Sequence, residues 1–293
     1  MAIRYAGKHL WRRLNKKIRE AFRLWGDFRR FREGSVINGR YTIVRKLGGG
    51  SYGVAYLCRD VRSGKSCVLK RISPLRGGAK RARLIYAKET GTLERLNHPA
   101  LPALYSKFEY DGHLCFIMEY MEGTSLDALL FADNAVFTER DSLILIKKLL
   151  HVVDYMHAAG MLHRDISIGN VIVDGDAVKL IDLGLSRELA GGNAATDDPH
   201  DIEADDPSEK ILRRNIHVTS DYYAVGHLLL FLLYSTFHAD DSASAGVDSG
   251  WEQELTLHPD TKKLLRRLLL TEQPYKNVQE IIDDADRILS VLT

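Results

Sequence analysis

The sequence predicts an α+β chain in two lobes, a sheet-rich first part with one main helix and a helical second part, preceded by a basic helical arm. Three observations predict it. Residues 41–72 alternate apolar and polar positions, are rich in β-branched and aromatic residues, and are interrupted by Gly clusters and "RSGK", the pattern of strands joined by tight turns. After Gly123 the apolar residues recur at helical spacing instead. Before residue 34, Lys and Arg surround an apolar stripe at steps of three and four.

In chain order, the arm comes first. Leu10/Trp11, Leu14, Ile18, Phe22 and Trp25 form the stripe, and Arg12, Arg13, Lys16, Lys17, Arg19 and Arg23 fill much of the rest. Residues 1–34 hold eleven Lys/Arg against three Asp/Glu, so a total net charge of +2 divides into +8 on the arm and −6 on the body. Three readings of residues 1–30 stand: packing on the chain's own body, lying on an anionic membrane surface, and binding nucleic acid. Trp and Phe in the stripe favour the membrane.

"YTIVRKLGGGSYGVAYLCRDVRSGKSCVLKRI" (41–72) reads as three antiparallel strands, and "KRARLIYAKETGTLERL" (80–96) as a helix. "ALYSKFEY" and "LCFIMEY" are two further strands around a "DGH" turn. "TERDSLILIKKLLHVVDYMHAAG", "AVGHLLLFLLYSTF" (224–237), "HPDTKKLLRRLLL" and "NVQEIIDDADRILSVL" read as helices. A hinge near 119–123 divides the chain into an arm of 1–34, a first lobe of 35–121 and a second of 122–293. One acidic polar stretch, "GGNAATDDPHDIEADDPSE" (191–209), reads as a long functional loop.

An apolar fraction of 45% over 293 residues supports a folded core. Three scattered cysteines, Cys58, Cys67 and Cys115, form no CxxC pair, which argues against structural zinc and for a reducing compartment. The 224–237 run is too short to span a bilayer, which takes about 20 apolar residues, and is expected to be a buried helix. No secretory signal is legible, so a cytoplasmic location is expected, peripheral on the inner face of the cell membrane if the arm binds lipid.

Several residues are of the type that carries chemistry. Gly48-Gly49-Gly50-Ser51-Tyr52-Gly53 lies between two strands, not between a strand and a helix, so it lacks the helix N-terminus of a dinucleotide site and suits a flap over a triphosphate. Lys70 in "CVLK" lies in an apolar strand and needs a partner, for which Glu89 on the following helix is the candidate. "HRDISIGN" (163–170) puts Asp165 and Asn170 in a loop between a helix and a strand, and Asp182 follows the next strand in "KLIDLGLS". Two carboxylates and an amide are oxygen ligands suited to Mg²⁺ rather than zinc.

The order and separations of these motifs resemble the protein kinase family over about residues 35–293. Glu89 stands ten residues before Pro99 of "LNHPALP", and Asp221 in "TSDYYAVG" matches the Asp that opens that family's central helix. The resemblance implies a bilobal protein-kinase-like fold and an ATP-dependent serine/threonine protein kinase using Mg²⁺ or Mn²⁺. It implies that Gly48, Gly50 and Gly53 cover the ATP phosphates, that Lys70, held by Glu89, binds the α/β-phosphates, and that Asp165 acts on the acceptor hydroxyl. Asn170 and Asp182 would hold the metal. Adenine would lie between Ala55 and Val68 on one side and Ile172 on the other, bonded to the backbone of Glu119 and Met121, with Met118 as gatekeeper. Leu93, Leu104, Leu183 and His163 take the places of the family's stacked hydrophobic residues.

The chain departs from the family pattern at four points. "DLG" replaces DFG, Ala55 replaces Val, Ser167 replaces a Lys of the catalytic loop, and "PSE" (207–209) stands where APE is usual. Ile202 occupies the place of the Thr that contacts the missing Lys, so that contact is absent as a whole. Acidic residues in the 191–209 segment predict a protein substrate that is basic around its acceptor. Thr196 is the candidate regulatory phosphosite, with Arg164 available to pair with a phosphate. Two competing functions remain open from the sequence: a pseudokinase acting as a nucleotide-binding interaction module, and a kinase of small-molecule or lipid-head acceptors.

Overall fold

The computed structural model describes residues 30–49, 53–72, 78–189, 208–237 and 250–292. The predicted arm therefore lies outside the described residues except at its end, as do Gly50, Thr196 and Ile202. The backbone gathers into two compact units, one running up to Thr90 and joined by Leu104–Tyr120, the other made of Gly91–Ala103 and the chain from Met121 on.

The first unit is built on a six-stranded sheet in the order β1-β2-β3-β4-β6-β5. Its strands are β1 (Val36–Ile37), β2 (Tyr41–Gly49), β3 (Gly53–Asp60), β4 (Ser66–Ile72), β5 (Leu104–Tyr110) and β6 (His113–Glu119), and every pairing is antiparallel. The β5–β6 hairpin turns on Asp111 and Gly112, both at positive φ (52° and 74°), the mirror-image turn whose twist matches that of the strands. Between β4 and β5 runs helix α1 (Gly78–Arg95).

Strand alternation separates the two faces of this sheet. Tyr56, Cys58, Cys67, Leu69, Cys115 and Ile117 belong to one buried cluster with Ile37, Tyr41 and Ile43. Phe31 completes it, stacked on Tyr56, edge-on to Tyr110 and His113, with the Arg71 guanidinium 4.7 Å above its ring. Arg30 pairs with Asp111 at 2.5 Å. Phe31, inside the expected arm of 1–34, thus belongs to this buried cluster of the first unit. The three cysteines are free thiols within the cluster, and burial pushes their pKa values up, to about 12 for Cys58 and Cys115 and about 11 for Cys67.

Helices dominate the second unit: α2 (Leu126–Phe131), α3 (Glu139–Ala158), α4 (Ser208–Arg214), α5 (Val218–Leu233), α6 (Trp251–Glu254), α7 (Pro259–Leu268) and α8 (Val278–Val291). A three-stranded sheet, β10 (Ala177–Leu180), β9 (Val171–Asp174), β7 (Thr124–Ser125), and the pair β11 (Arg187–Glu188) with β8 (Met161–Leu162) complete it. Helix α3 starts at a capping box: Asp141 N–H donates to Thr138 Oγ1 and Thr138 N–H to Asp141 Oδ2, both at 3.1 Å. Its apolar stripe, from Leu143 through Leu150 to Met156, is buried, and Gly160 at φ 73° ends it. From the chain end, α8 fastens α3 through Lys147–Asp286 and through Arg140, which donates to the Leu289 and Leu292 carbonyls at 3.0 and 2.6 Å.

The segment 91–103 belongs to the second unit, although the expected boundary put it in the first. Its polar bonds explain this. Asn97 N–H donates to the Tyr155 hydroxyl of α3 at 2.8 Å, that hydroxyl donates to the Asn97 carbonyl at 3.0 Å, and Leu180 N–H donates to the Ala100 carbonyl at 2.9 Å. The 224–237 run holds the latter part of the mostly buried helix α5, to Leu233, as expected, and continues into the 3-10 turn Tyr234–Thr236. Among the described residues no single helix is long and apolar enough to cross a membrane.

Candidate active site

In the first unit the Gly-rich stretch lies between β2 and β3, where Gly48 pairs with Ala55 and Gly49 with Val54. Gly53 has a reason of its own to lack a side chain. A Cβ there would meet the Arg71 carbonyl oxygen of β4 at 2.6 Å, so only glycine lets the two strands approach. Register places Ala55 opposite Lys70, Leu57 opposite Val68, Val68 opposite Met118 and Lys70 opposite Phe116. Cross-strand partners share a face, so Ala55, Val68, Lys70 and Met118 line the side of the sheet away from the Phe31 cluster. Glu119 ends β6, and Met121 is the buried first residue after the division between the units.

Lys70 Nζ is paired with Glu89 Oε1 of α1. The Glu89 side chain is 2% exposed and that of Lys70 15%, so neither charge can be replaced by water at low cost. The sequence expectation of this pair is met.

In the second unit, Asp221 in the first turn of α5 organises the loop after β8. Its carboxylate is fully buried. His163 N–H donates to Oδ2 at 3.0 Å, Arg164 N–H to Oδ1 at 2.7 Å, and His157 Nε2 lies 2.9 Å from Oδ2. Burial alone would push this carboxyl up, but the hydrogen bond and charge of His157, the charge of His163 and the Arg164 N–H more than offset it, holding Asp221 below the usual carboxylate range. Arg164 has φ 64°, a left-handed conformation that costs a non-glycine residue about 1–3 kcal/mol and that its N–H bond to Asp221 helps to hold.

That bend delivers Asp165. Asn170 Nδ2 donates to the Asp165 carbonyl at 2.9 Å and to its Oδ2 at 3.1 Å. Asp165 N–H donates to His163 Nδ1 at 3.2 Å, which leaves His163 Nε2 to donate to the Ile181 carbonyl at 3.2 Å. Ile181 N–H in turn donates to the Asn170 carbonyl at 2.9 Å, tying the loop to the residue before Asp182. Burial pushes the Asp165 carboxyl above the usual range; the charge of Asp182 adds to this, and His163, Arg214 and Asn170 oppose it without cancelling it. Asp182 itself is left-handed (φ 62°), with Oδ1 accepting from Gly184 N–H at 3.2 Å. Ile172, buried in β9, belongs to this unit, as do Leu183 and His163, both buried.

The donor set suits a hard cation. Asn170 spends its Nδ2 on Asp165, which leaves its Oδ1 as a ligand oxygen, and Asp182 adds a carboxylate. No group of three or more His, Cys, Asp or Glu residues able to hold a metal occurs among the described residues. Mg²⁺ does not require one, because it binds through one or two protein oxygens together with phosphate and water.

The chain matches the model of the protein kinase domain over residues 41–286. The chain belongs to the protein kinase family. It is similar to a probable serine/threonine-protein kinase, YbdM of Bacillus subtilis, at 30% identity over 90% of this chain and 95% of that one. It is also similar to serine/threonine-protein kinase B of Synechocystis, at 29% identity over 84% of this chain but only 46% of that protein, so it spans under half of that longer relative. The kinase domain of PknI from Mycobacterium tuberculosis shares the fold, with TM-score 0.63 and 24% identity, covering 89% of this chain and 99% of that one. This kinase therefore has the bilobal architecture the sequence implied, an antiparallel sheet with a helix followed by a helical lobe.

Two features went unread in the sequence. His157, the third partner of Asp221, stands six residues before His163 in "YMHAAGMLH" and gave no signal beyond a histidine near a helix end. The Arg164 guanidinium is held by backbone carbonyls: Nε donates to the Arg214 carbonyl at 2.8 Å, Nη2 shares that carbonyl, and Nη1 reaches the Leu185 carbonyl at 3.5 Å. Glu209 of the "PSE" triplet pairs with Arg213 on its own helix at 3.0 Å.

Proposed function

We propose that this kinase transfers the γ-phosphoryl group of ATP to serine or threonine hydroxyls of protein substrates. The chain is a serine/threonine protein kinase by family and by its relatives. The observation that carries transfer, as against nucleotide binding alone, is Asp165: a half-buried carboxylate steered by Asn170, on a loop pinned by Asp221. A binding module has no need of that carboxylate.

In this reading Asp165 Oδ1 accepts the acceptor hydroxyl proton while Oδ2 stays on Asn170. Lys70, held by Glu89, would place its ammonium on the α/β-phosphate oxygens, and the glycines at 48, 50 and 53 would let backbone N–H groups cover the phosphates. Ala55, Val68 and Met118 on the one sheet face of the first unit, with the backbone of Glu119, would receive the adenine. Asn170 and Asp182 would hold Mg²⁺ or Mn²⁺, which supplies neutralisation of the charge on the transferred group.

Residues 35–293 form the kinase domain in this reading, and the basic arm of 1–30 holds it at an anionic membrane surface on the cytoplasmic side. The stripe of Trp, Leu and Phe with eleven basic residues in 1–34 supports that placement. Flotation with neutral and anionic liposomes tests it: binding that survives deletion of 1–29 contradicts it. For the activity, the protein is incubated with γ-labelled ATP, Mg²⁺ and a mixed peptide library. Acid-stable label recovered as phosphoserine or phosphothreonine is the expected result; label on small acceptors only, or none, contradicts the reading.

A further inference from the structure

Beside Asp165 the second unit has a pocket of about 270 Å³ whose charged lining is Arg164, Asp165, Glu209, Lys210, Arg213 and Arg214. Four cations face two carboxylates. We propose that this pocket takes an anionic group of the protein substrate, a carboxylate or a phosphate, next to the acceptor hydroxyl, with Arg213 and Arg214 as specificity-determining residues. The proposal rests on the kinase reading and adds to it the class of sequence that the kinase selects.

Position is the first support. Asp165 is both the carboxylate proposed to act on the hydroxyl and part of this pocket's wall, so a substrate group seated in the pocket lies within a residue or two of the acceptor. The second support is that the cations are placed by the same scaffold as the catalytic loop. Arg164, left-handed and bonded to Asp221, donates through its guanidinium to the carbonyl of Arg214, which fixes the C-terminal end of α4 against the loop. Arg164 is thus a positioning residue for Arg213 and Arg214 as well as for Asp165.

The third support is the state of each cation. Arg164 and Lys210 have further partners, so the weight falls on the other two. The Arg213 guanidinium is held by Glu209 at 3.0 Å and lies 5.9 Å from the Tyr223 ring. The Glu209 side chain is 58% exposed, and exposed pairs at i,i+4 spacing contribute only about 0.3–0.5 kcal/mol, so a substrate carboxylate can exchange for it at little cost. The Arg214 side chain makes no hydrogen bond or ion pair with a described residue, and its charge opposes the rise that burial imposes on the Asp165 pKa. A lysine or arginine of the substrate would meet like charge here, whereas an aspartate, glutamate or phosphorylated residue would meet two guanidinium groups. The expectation of a basic substrate was drawn from the 191–209 segment, most of which lies outside the described residues; Glu209 at its end is the one carboxylate it adds to this pocket, and the pocket's balance is of the opposite sign.

The test uses the full chain with degenerate peptides carrying a fixed Ser or Thr and, at each of the four positions on either side, a fixed Asp, phosphoserine, Ala or Lys. At one or more positions Asp or phosphoserine should raise kcat/KM by about tenfold over Lys, the effect of one charge-assisted contact, mainly through KM. The Asp and phosphoserine arms distinguish a carboxylate from a phosphate ligand. In Arg214→Glu and, separately, Arg213→Glu, the Asp-to-Lys ratio should fall to one or invert, and Arg214→Lys should restore it in part. Because the readout is a ratio between peptides, a general loss of activity in one variant does not obscure it, and the wild-type ratio alone is decisive. Equal use of Asp and Lys peptides, or preference for Lys, overturns the inference while leaving the kinase reading intact. Transfer to no peptide at all overturns both.

Discussion

Replacing Asp221 probes the scaffold of the catalytic loop most directly. Asp221→Ala removes the acceptor of two buried backbone N–H groups and the partner of His157. Each buried donor left without an acceptor costs about 1–3 kcal/mol, and removing one partner of a buried ionic contact costs about 3–5 kcal/mol. Water entering the space offsets part of this, so a loss of about 3–5 kcal/mol is expected. At about 2–4 °C per kcal/mol for a chain of this size, the melting temperature should fall by about 10 °C. Asp221→Asn keeps one carbonyl oxygen for the N–H groups and should lose about half as much. Activity should fall further than stability does. Arg164 is left-handed with its N–H bonded to Asp221, and once that bond is gone it can relax and carry Asp165 with it. A displacement of about 1 Å at a reacting group costs on the order of a hundredfold in rate. Calorimetry with a phosphotransfer assay below the transition checks both effects. A melting temperature within about 2 °C of wild type, with activity within threefold, would refute the scaffold role. The pH dependence has a definite sign. Asp221 has a lowered folded pKa, so its contribution is fully present above the unfolded value of about 4 and is lost as pH falls through the folded one. The Asp221→Asn variant should therefore differ from wild type least at strongly acid pH.

Other predictions follow from the same geometry. Asp165→Asn should lower kcat by at least about a hundredfold while the melting temperature stays within about 2 °C, since an amide oxygen can still accept from Asn170; equal losses of both would point to a structural role. Because burial raises the Asp165 pKa, the acid limb of the wild-type rate profile should lie above the ordinary carboxylate value of about 4, and a limb at or below that value would contradict its role as base. Glu89→Ala leaves Lys70 without its carboxylate in a site 15% exposed and should destabilise the protein by about 3–5 kcal/mol, whereas Glu89→Gln should be milder; denaturant unfolding measures both. Gly123→Ala puts a Cβ 2.5 Å from the Val173 carbonyl at a φ of 123°, and should cost at least about 1–3 kcal/mol by thermal melt.

Much of this was legible in the residues because the informative features are local. Strand alternation in 41–72, the "DGH" turn at 111–113 and the helical spacing of 138–160 each act over a few residues, and the corresponding elements stand where the sequence placed them. The Lys70–Glu89 pair was readable because a lysine in an apolar strand demands an anion. The features that stayed hidden join distant segments by backbone atoms. Nothing in the residue types says that Arg164 donates to the Arg214 carbonyl fifty positions on, or that Tyr155 gathers 97–100 into the helical unit. The charged pocket beside Asp165 stayed unread for a related reason. The acidic residues of the 191–209 segment are conspicuous in the sequence, whereas "KILRR" gains its meaning only once α4 is held beside Asp165.

Label transfer from γ-labelled ATP by wild type, Lys70→Met and Asp182→Ala, each first verified by its melting curve, bears most directly on the phosphotransfer function. Wild type should label serine or threonine in protein substrate, and each folded variant should lose that label by at least about a hundredfold. Equal transfer by all three proteins would contradict the assignment of Lys70 and Asp182, and with it the reading of this chain as a kinase that works through them.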